Sequence, residues 1–271
     1  MRVSHAYDMS FSHVVVPIDF SAPSIAAIAV AKDLAKRTGA DLQLLSIAAT
    51  HGRVEAEAEL KTLCAEAGEG TTWRIIASDE DPESPLVIEI LEGGEQTLWC
   101  LGSHGRTALG ELVFGSISAD VVREVEQGIV LVGPHAAVRA NADVMLVPLD
   151  DSENSAHILP AAIEVANALK MRLRLVQVGD HGVPNDSNET SYIRHEAMQL
   201  PEPHNRDFDV LHGNVDSAIT EYVAETADVG MIAMATRGIP AGARLTMGST
   251  ALTVLRHATV AMLMLHPPSA D

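Results

Sequence analysis

The chain has 271 residues, of which 47% are hydrophobic but only 3% aromatic, and its formal net charge is −19. Acidic residues are in excess in both halves and neither half has a basic face, so we do not expect nucleic-acid binding, which depends on clustered Lys and Arg. The length favours two domains. Ala, Val, Ile, Leu and Met supply the apolar residues, as in buried parallel strands flanked by helices, so the composition predicts an α/β protein. Simple solubility and a saline habitat both stay open as reasons for the acidity.

The first half alternates between strands and helices. Residues 1–10 have no apolar periodicity, and we expect a disordered extension there. The elements expected after it are a strand at 13–18, a helix from the cap residue Ser21 to about Gly39, a strand at 41–47, a helix at 53–67, a strand at 71–77, a helix at 84–92, a strand at 97–101, a glycine-rich segment at 102–116, a helix at about 116–126 and a strand at 129–133. This alternation predicts a parallel sheet with helices on both faces.

The second half repeats the first. The stretch HVVVPIDFS at 13–21 returns as DVMLVPLDDS at 143–152, and GSHGRTALGELVFGS at 102–116 returns as ATRGIPAGARLTMGS at 235–249. A third match, between the strands at 41–47 and 172–178, keeps the same order and nearly the same spacing, which indicates duplication. We therefore expect two domains of one fold, at 11–135 and 143–267. The linker at about 134–142 is short and should hold the domains side by side.

The expected elements of the second half follow the same order as in the first. They are a strand within 143–152, a helix at 153–169, a strand at 172–178, a long loop at 179–206 with a short helix around 189–198, a strand at 208–212, a helix at 215–227, a strand at 229–235, a helix at 248–256 and a strand at 259–265. Pro160 falls inside the first of these helices and should kink it.

The glycine-rich segment has the spacing G-x2-G-x9-G-S, and it follows a strand at the place where ligands bind in open α/β sheets. Gly102 and Gly105 would let the backbone approach a ligand and adopt a positive φ. Gly115 and Ser116 would begin a helix whose free N–H groups favour an anion, most plausibly a phosphate chain. A structural alternative stays open, in which the glycines only make tight turns. Asp residues after the first strand of each half have a similar alternative role, as caps of the following turn.

Several other kinds of site are excluded by the residues. Cys64 and Cys100 form neither a disulfide framework nor a metal-binding pair, and the 12 histidines have no ligand-like spacing. The run from Gly110 to Ser116 lacks the lysine of a phosphate-binding loop, and the glycine, serine and histidine motifs of dinucleotide, hydrolase and zinc sites are missing. No apolar stretch is long enough to span a membrane and no signal pattern begins the chain, so we expect a cytoplasmic protein.

The stretches VVVPIDFS and LGSHGRTALGELVFGSIS resemble the universal stress protein family in its tandem two-domain form, over roughly 12–134 and 143–267. The resemblance implies an adenine nucleotide alpha hydrolase-like fold, with a five-stranded parallel sheet of order 3-2-1-4-5 in each half. It also implies ATP, with Mg²⁺ on its phosphates, at the carboxyl ends of strands 1 and 4. The last strands of the two halves, at 129–133 and 260–265, would pair with each other. The chain would then be a pseudo-dimer, or would form a homodimer.

The resemblance also implies a set of nucleotide-binding residues in each half. In the first half Pro17 and Asp19 would border adenosine, Ile47 would offer backbone groups to adenine, Gly102, His104 and Gly105 would lie along ribose and phosphates, and Gly115, Ser116 and Ile117 would bind the phosphates. The matching set in the second half is Pro148, Asp150, Val178, Arg237, Gly238, Gly248, Ser249 and Thr250. Ala235 replaces the first glycine and Pro240 stiffens the loop, so the first site should be the better one.

The function implied by the resemblance is that of an ATP-binding stress regulator, which acts through an unidentified protein partner. Catalysis is not expected beyond slow, incidental hydrolysis, because the loops carry no lysine, carboxylate pair or positioned base that matches known phosphoryl-transfer sites. Two alternatives stay open: a scaffold of the same fold that does not bind nucleotide, and an enzyme acting on a small phosphorylated or acidic metabolite, since a fold does not determine a function.

Overall fold

The computed structural model describes residues 10–79, 83–106, 112–114, 121, 128–150, 153–179, 189–235 and 247–266. The expected extension at 1–10 lies outside this part of the chain, apart from Ser10. Of the helix predicted at about 116–126, the described part contains only Val121, which is helical and fully buried.

The strands follow the predicted order. In the first half they are β1 (His13–Pro17), β2 (Asp41–Ala48), β3 (Thr72–Ala77), β4 (Thr97–Gly102), β5 (His104–Arg106), β6 (Leu112–Phe114) and β7 (Ile129–Val132). In the second half they are β8 (Val144–Leu149), β9 (Arg172–Gly179), β10 (Phe208–His212), β11 (Val229–Ala235) and β12 (Ala261–Leu265).

Helices connect the strands. They are α1 (Ala22–Thr38), α2 (Arg53–Ala67), α3 (Glu83–Glu92), α4 (Glu153–Ala156), α5 (Leu159–Ala168), α6 (Glu189–Gln199), α7 (Val215–Glu225) and α8 (Ser249–His257), with a short 3-10 helix at Thr50–Gly52 before α2. Within the described residues no helix is both long and apolar enough to cross a membrane.

The described strands form one ten-stranded sheet of order β10-β9-β8-β11-β12-β7-β4-β1-β2-β3, while β5 and β6 form a separate pair. Each half contributes five parallel strands in the order 3-2-1-4-5, so the fold implied by the resemblance is confirmed. The halves join where β12 pairs antiparallel with β7, with Met262 opposite Leu131 and Met264 opposite Ile129. Because of this antiparallel junction, the carboxyl ends of the first half's strands and of the second half's strands lie at opposite edges of the sheet.

Two hydrophobic cores cover the two faces of the sheet. One contains side chains of α1, α2, α5 and α6, and the other contains side chains of α3, α7 and α8. Strand β4 contributes side chains to both cores. Leu98 and Cys100 belong to the first core, whereas Trp99 and Leu101 belong to the second. Strands buried on both faces need apolar residues at every position, which explains the continuous apolar runs in the sequence.

Two local features differ from the predictions. The glycine-rich segment was expected to be a loop, but β5 and β6 pair antiparallel, with His104 opposite Phe114 and Arg106 opposite Leu112; the aromatic and β-branched residues of Leu112–Phe114 favour a strand. The helix predicted at 153–169 is broken at 157–158 and not merely kinked. Pro160 lies in the first turn of α5, where its missing N–H costs no hydrogen bond.

Two arginines anchor the short linker. From α1, Arg37 Nη2 donates a hydrogen bond to the carbonyl oxygen of Ala142 at 2.8 Å. In the linker itself, Arg139 Nη1 donates to the carbonyl oxygen of Thr226 at 2.8 Å, and its Nη2 donates to Thr259 Oγ1 at 2.7 Å. The linker is therefore bonded to the helix of one half and to two loops of the other.

Candidate functional site

The turn after β1 is organised by Asp19. Its carboxylate accepts hydrogen bonds from the main-chain N–H of Ser21 at 3.0 Å and from the Ser21 hydroxyl at 2.6 Å. Between them, Phe20 has a φ of 62°, in the left-handed region that an aromatic residue rarely occupies. Burial acts to raise the pKa of Asp19, but the hydrogen bonds from Ser21 and Ser24 outweigh it and lower the pKa below its ordinary value. Asp19 therefore has the turn-capping role that the sequence left open.

Helix α1 begins directly after this turn. The Ser21 side chain accepts a hydrogen bond from the N–H of Ser24 at 3.4 Å, and the Ser24 hydroxyl donates to the Ser21 carbonyl oxygen at 3.0 Å. Pro23 lies in the first turn, and Gly39 closes the helix with a φ of 79°. The predicted ends of this helix are confirmed, and one free N–H of its first turn is satisfied by the protein itself.

Gly102, at the end of β4, packs against that first turn. A Cβ at Gly102 would lie 2.4 Å from the carbonyl oxygen of Pro23 and 2.9 Å from the N atom of Ser24. The φ of Gly102 is not in the positive range, so the positive φ expected there is wrong. Glycine is needed at this position because the strand end and the helix start are in contact, whether or not a ligand is bound.

The structure thus brings three predicted residues of the first half together. Pro17 and Gly102 lie at the carboxyl ends of the adjacent parallel strands β1 and β4, and Asp19 lies in the turn between β1 and α1. In the sheet β1 lies between β2, which follows it in the chain, and β4, so the strand order reverses at β1. Ligands of open α/β folds bind at such a switch in strand order.

Ile47 lies on the other side of β1, near the carboxyl end of β2, and is half-buried. The loop after it is held by Asp79, which accepts hydrogen bonds from Thr50 N at 3.0 Å and from Thr50 Oγ1 at 3.3 Å. Sequence reasoning missed Asp79, although an Asp two residues after a strand at the ligand-binding edge was a usable signal.

The structure describes only part of the remaining predicted set. His104 and Gly105 belong to the hairpin strand β5. Gly115, Ser116 and Ile117 of the first half, and Arg237, Gly238 and Pro240 of the second half, lie outside the described residues.

In the second half the structure describes the helix start that the sequence predicts as a phosphate site. Helix α8 begins at Ser249, and Gly248 before it has an extended backbone with φ −64° and ψ 155°. Among the described residues no side chain caps this helix, in contrast to Ser21 at the start of α1. The N–H groups of its first turn, including those of Ser249 and Thr250, are therefore the kind of bare amides that bind an anion.

The remaining predicted residues of the second half lie at the carboxyl edge of its strands, where α8 begins. Pro148 is near the end of β8, and Val178 is near the end of β9 and half-buried. The main-chain N–H of Asp150 donates a hydrogen bond to the hydroxyl of Ser155 in α4 at 3.2 Å. As in the first half, the turn after the first strand is bonded to the helix that follows it.

The described residues limit the chemistry at these edges. They contain no group of three or more His, Cys, Asp or Glu side chains that could hold a metal ion. Burial raises the pKa of the Cys100 thiol to about 12, so this residue stays a neutral thiol in the core. The polar groups described at the two edges include main-chain amides, Ser and Thr hydroxyls and Asp carboxylates, a set suited to binding.

A cleft of about 350 Å³, including open solvent, lies elsewhere, between α1 and the second half. It is lined by Asp33, Arg37 and Arg139 among others. Arg37 Nε bonds to Asp33 at 2.6 Å, and both arginines also bond to main-chain carbonyl groups. The charged groups of this cleft therefore hold the linker, and the cleft is separate from the predicted site.

Comparisons with known proteins agree with this architecture. The chain is similar to the crystal structure of a universal stress protein from Archaeoglobus fulgidus DSM 4304, with 20% identity, a TM-score of 0.68 and coverage of 94% of this chain and 98% of that one. A universal stress protein described as putative, from Pseudomonas aeruginosa UCBPP-PA14, has 16% identity and a TM-score of 0.61, and covers 96% and 95% of the two chains. The cytoplasmic domain of a prokaryotic cation chloride cotransporter has 12% identity and a TM-score of 0.51, and covers 94% and 95%.

Similarities at this level of identity show the fold alone. No curated protein is significantly similar to the chain. The profile of the Universal stress protein family, however, matches residues 10–133 and again residues 142–266, which together are nearly the whole chain. The protein therefore belongs to the universal stress protein family, whose α/β fold it contains twice.

Proposed function

We propose that the protein binds ATP, with Mg²⁺ on the phosphates, at the carboxyl ends of the first and fourth strands of each half. The first-half site is the stronger one. Bound ATP changes how the protein contacts a protein partner during a stress response, and any hydrolysis is slow and incidental. A cytoplasmic location stays a prediction.

The observation that carries this proposal is the start of α8, which no side chain in the described part of the chain caps. Gly248, Ser249 and Thr250 begin a nine-residue helix at the carboxyl edge of the second half's strands, where the duplicated motif predicts a phosphate site. Bare amides and the helix dipole both favour negative charge at this point. The same motif in the first half, GELVFGSIS at 110–118, retains its glycine and serine, which supports a matching site there.

The second-half site should be the weaker one for two reasons. Ala235 stands at the position of Gly102, and alanine gives the main chain less conformational freedom than glycine to approach a ligand. Pro240 lacks a main-chain N–H, so the segment between β11 and α8 has one donor fewer.

A scaffold without nucleotide is the second candidate. The contact of Gly102 with Pro23 and the capping role of Asp19 account for both residues without a ligand. The cytoplasmic domain of the cotransporter has the same fold, and a fold alone does not determine function.

Calorimetric titration of the purified protein with Mg-ATP tests the proposal. Gly115→Val should remove the stronger binding event, and Gly248→Val should remove the weaker one, because a side chain there blocks phosphate approach. The extended backbone of Gly248 accepts valine without strain. Gly52→Val is a control for the added side chain, since Gly52 also precedes a helix and its Cβ would meet nothing within 4 Å; its backbone, with φ −95° and ψ 1°, differs from that of Gly248. Absence of binding and of a thermal shift in millimolar Mg-ATP would support the scaffold.

A further inference from the structure

Helix α8 reaches across the sheet from one edge to the other. Its first residue, Ser249, lies at the carboxyl edge of the second half's strands, and its chain continues through residues 258–260 into the amino end of β12. Since β12 is antiparallel to β7, that amino end lies beside the carboxyl end of β7 in the first half. Nine residues span about 13 Å, and the last turn of α8 contacts Gly133, the residue that follows β7 in the first half.

The carboxyl end of α8 packs closely against Gly133. Gly133 follows β7, and a Cβ on it would lie 2.1 Å from the carbonyl oxygen of Leu255 and 3.3 Å from its carbonyl carbon. Leu255 is in the last turn of α8 and is only 1% exposed. The main chain of the first half therefore sets how closely this end of the helix can approach.

The linker fixes the turn that follows α8. The main-chain N–H of Ala137 donates to the carbonyl oxygen of Thr259 at 3.0 Å, and Arg139 Nη2 donates to Thr259 Oγ1 at 2.7 Å. The carboxyl end of α8 is thus held by Gly133, Ala137 and Arg139, whereas its amino end has no side-chain cap within the described residues.

The residue before Gly133 is in turn hydrogen-bonded to the carboxyl edge of the first half. The carbonyl oxygen of Val132, the residue before Gly133, accepts a hydrogen bond from the main-chain N–H of Ser103 at 3.0 Å. Ser103 is fully buried and follows Gly102 directly. The segment that contacts the carboxyl end of α8 is therefore hydrogen-bonded to the residue that follows β4 in the first half.

We infer that Gly133 is a positioning residue for the phosphate-binding amides of the second half. A helix moves as a rigid rod, so a displacement at Leu255 moves the N–H groups of Ser249 and Thr250, whose direction decides how well they bind phosphate oxygens. The second-half site is therefore assembled by both halves of the chain. This inference rests on the proposed function for its binding consequence, and the position of α8 can be tested without nucleotide.

The experiment uses the full chain in two backgrounds. In Gly115→Val protein, which retains only the second site, Gly133→Ala should weaken Mg-ATP binding about tenfold, because a strained backbone contact costs on this order. In Gly248→Val protein, which retains only the first site, the same substitution should change affinity by less than about twofold. A general loss of structure would weaken both sites, so this difference separates positioning from damage. Gly52→Ala adds the same methyl group where nothing lies within 4 Å, and should change neither site.

Two further measurements keep the inference testable. Thr259→Val retains the shape of the side chain but removes the acceptor of Arg139, and should weaken the second site severalfold. In nucleotide-free protein, ¹⁵N-¹H spectra of Gly133→Ala should show shifted amide resonances for Ser249 and Thr250. Unchanged resonances, together with unchanged second-site affinity in both variants, would overturn the inference. If Gly115→Val protein binds no ATP even with Gly133 intact, the proposed second site is wrong, and the amide shifts still decide whether the first half positions α8.

Discussion

The main chain at Gly102 lies so close to Pro23 that a Cβ on the glycine would be 2.4 Å from the proline carbonyl oxygen. We expect Gly102→Ala to destabilise the protein by about 1–3 kcal/mol, because neither backbone can move without disturbing β4 or the first turn of α1. Urea unfolding of the purified variant measures this change.

Gly52→Ala is the control for this measurement, because its Cβ would meet nothing within 4 Å. It should change the free energy of unfolding by less than about 0.5 kcal/mol. A Gly102→Ala protein as stable as this control would show that the contact is looser than described. In the second half Ala235 occupies the position that corresponds to Gly102. The helical segment that follows β8 in that half is interrupted after Ala156.

His204 is buried in the second half with both ring nitrogens bonded. Its Nδ1 accepts the main-chain N–H of Leu173 at 3.2 Å, which places the ring proton on Nε2, 2.9 Å from Asn167 Oδ1. Burial lowers the pKa of His204 below its ordinary value. We expect His204→Asn to lose about 1–2 kcal/mol of stability at pH 7.5, because buried hydrogen-bonding groups lose their partners.

The pH dependence of this contribution has a definite sign. The unfolded chain takes up a proton near pH 6.5 while the folded protein does not, so the contribution of His204 is complete above pH 6.5 and is lost as the pH falls through the folded pKa. The wild type should lose up to about 1.4 kcal/mol per pH unit in this window relative to His204→Asn. Urea unfolding between pH 7.5 and pH 5 tests it, with the exposed residue His195, changed to Gln, as control. Parallel stability curves for wild type and His204→Asn would contradict the burial effect.

Arg174 joins two acidic residues beside β9. Its Nε donates to Asp207 Oδ1 at 2.7 Å, and its Nη2 donates to Asp228 Oδ2 at 3.0 Å. Burial acts to raise the pKa of Asp228, but the hydrogen bonds and charges of Arg174, together with the charge of Arg172, outweigh it and lower the pKa. Arg174→Met should cost about 1–2 kcal/mol at pH 7, because the half-buried carboxylates of Asp207 and Asp228 lose one of their two arginine partners. Arg172 still pairs with both carboxylates.

The same variant should raise the pKa of Asp228, which NMR titration of its carboxyl carbon measures directly. Lys61→Met provides the comparison, since it breaks an exposed pair with Glu57 at 2.7 Å and should cost less than about 0.5 kcal/mol. An Asp228 pKa that stays low without Arg174 would assign the shift to another group.

Much of the fold could be predicted from the sequence because its signals are local. The apolar runs and the caps at Ser21 and Gly39 mark strands and helix ends, and the described elements begin and end close to the predicted positions. The repeat with its offset indicated two copies of one fold. The antiparallel pairing of β7 with β12 was predicted only from the family resemblance, since apolar strands alone do not specify their neighbours.

The site was harder to predict because its determinants are contacts between distant residues. The glycine pattern singled out Gly102 as a ligand-binding residue, which stays a prediction. The structure requires a glycine there because of the approach of Pro23, 79 positions earlier, which no local pattern encodes. Arg139 and Gly133 were not recognised as anchors for α8, since the linker gave no sign of its partners. Asp79 was missed because a polar residue after an edge strand looks like ordinary solvent-exposed sequence.

A crystal structure of the protein grown with Mg-ATP tests the central claim most directly. We predict phosphate oxygens within about 2.7–3.2 Å of main-chain nitrogens at the helix starts, Ser116 in the first half and Ser249 in the second, with adenine beside Ile47 or Val178. The first half should have the higher occupancy. Helix starts filled by neighbouring side chains, with no space for a triphosphate, would contradict the claim and leave only the duplicated fold.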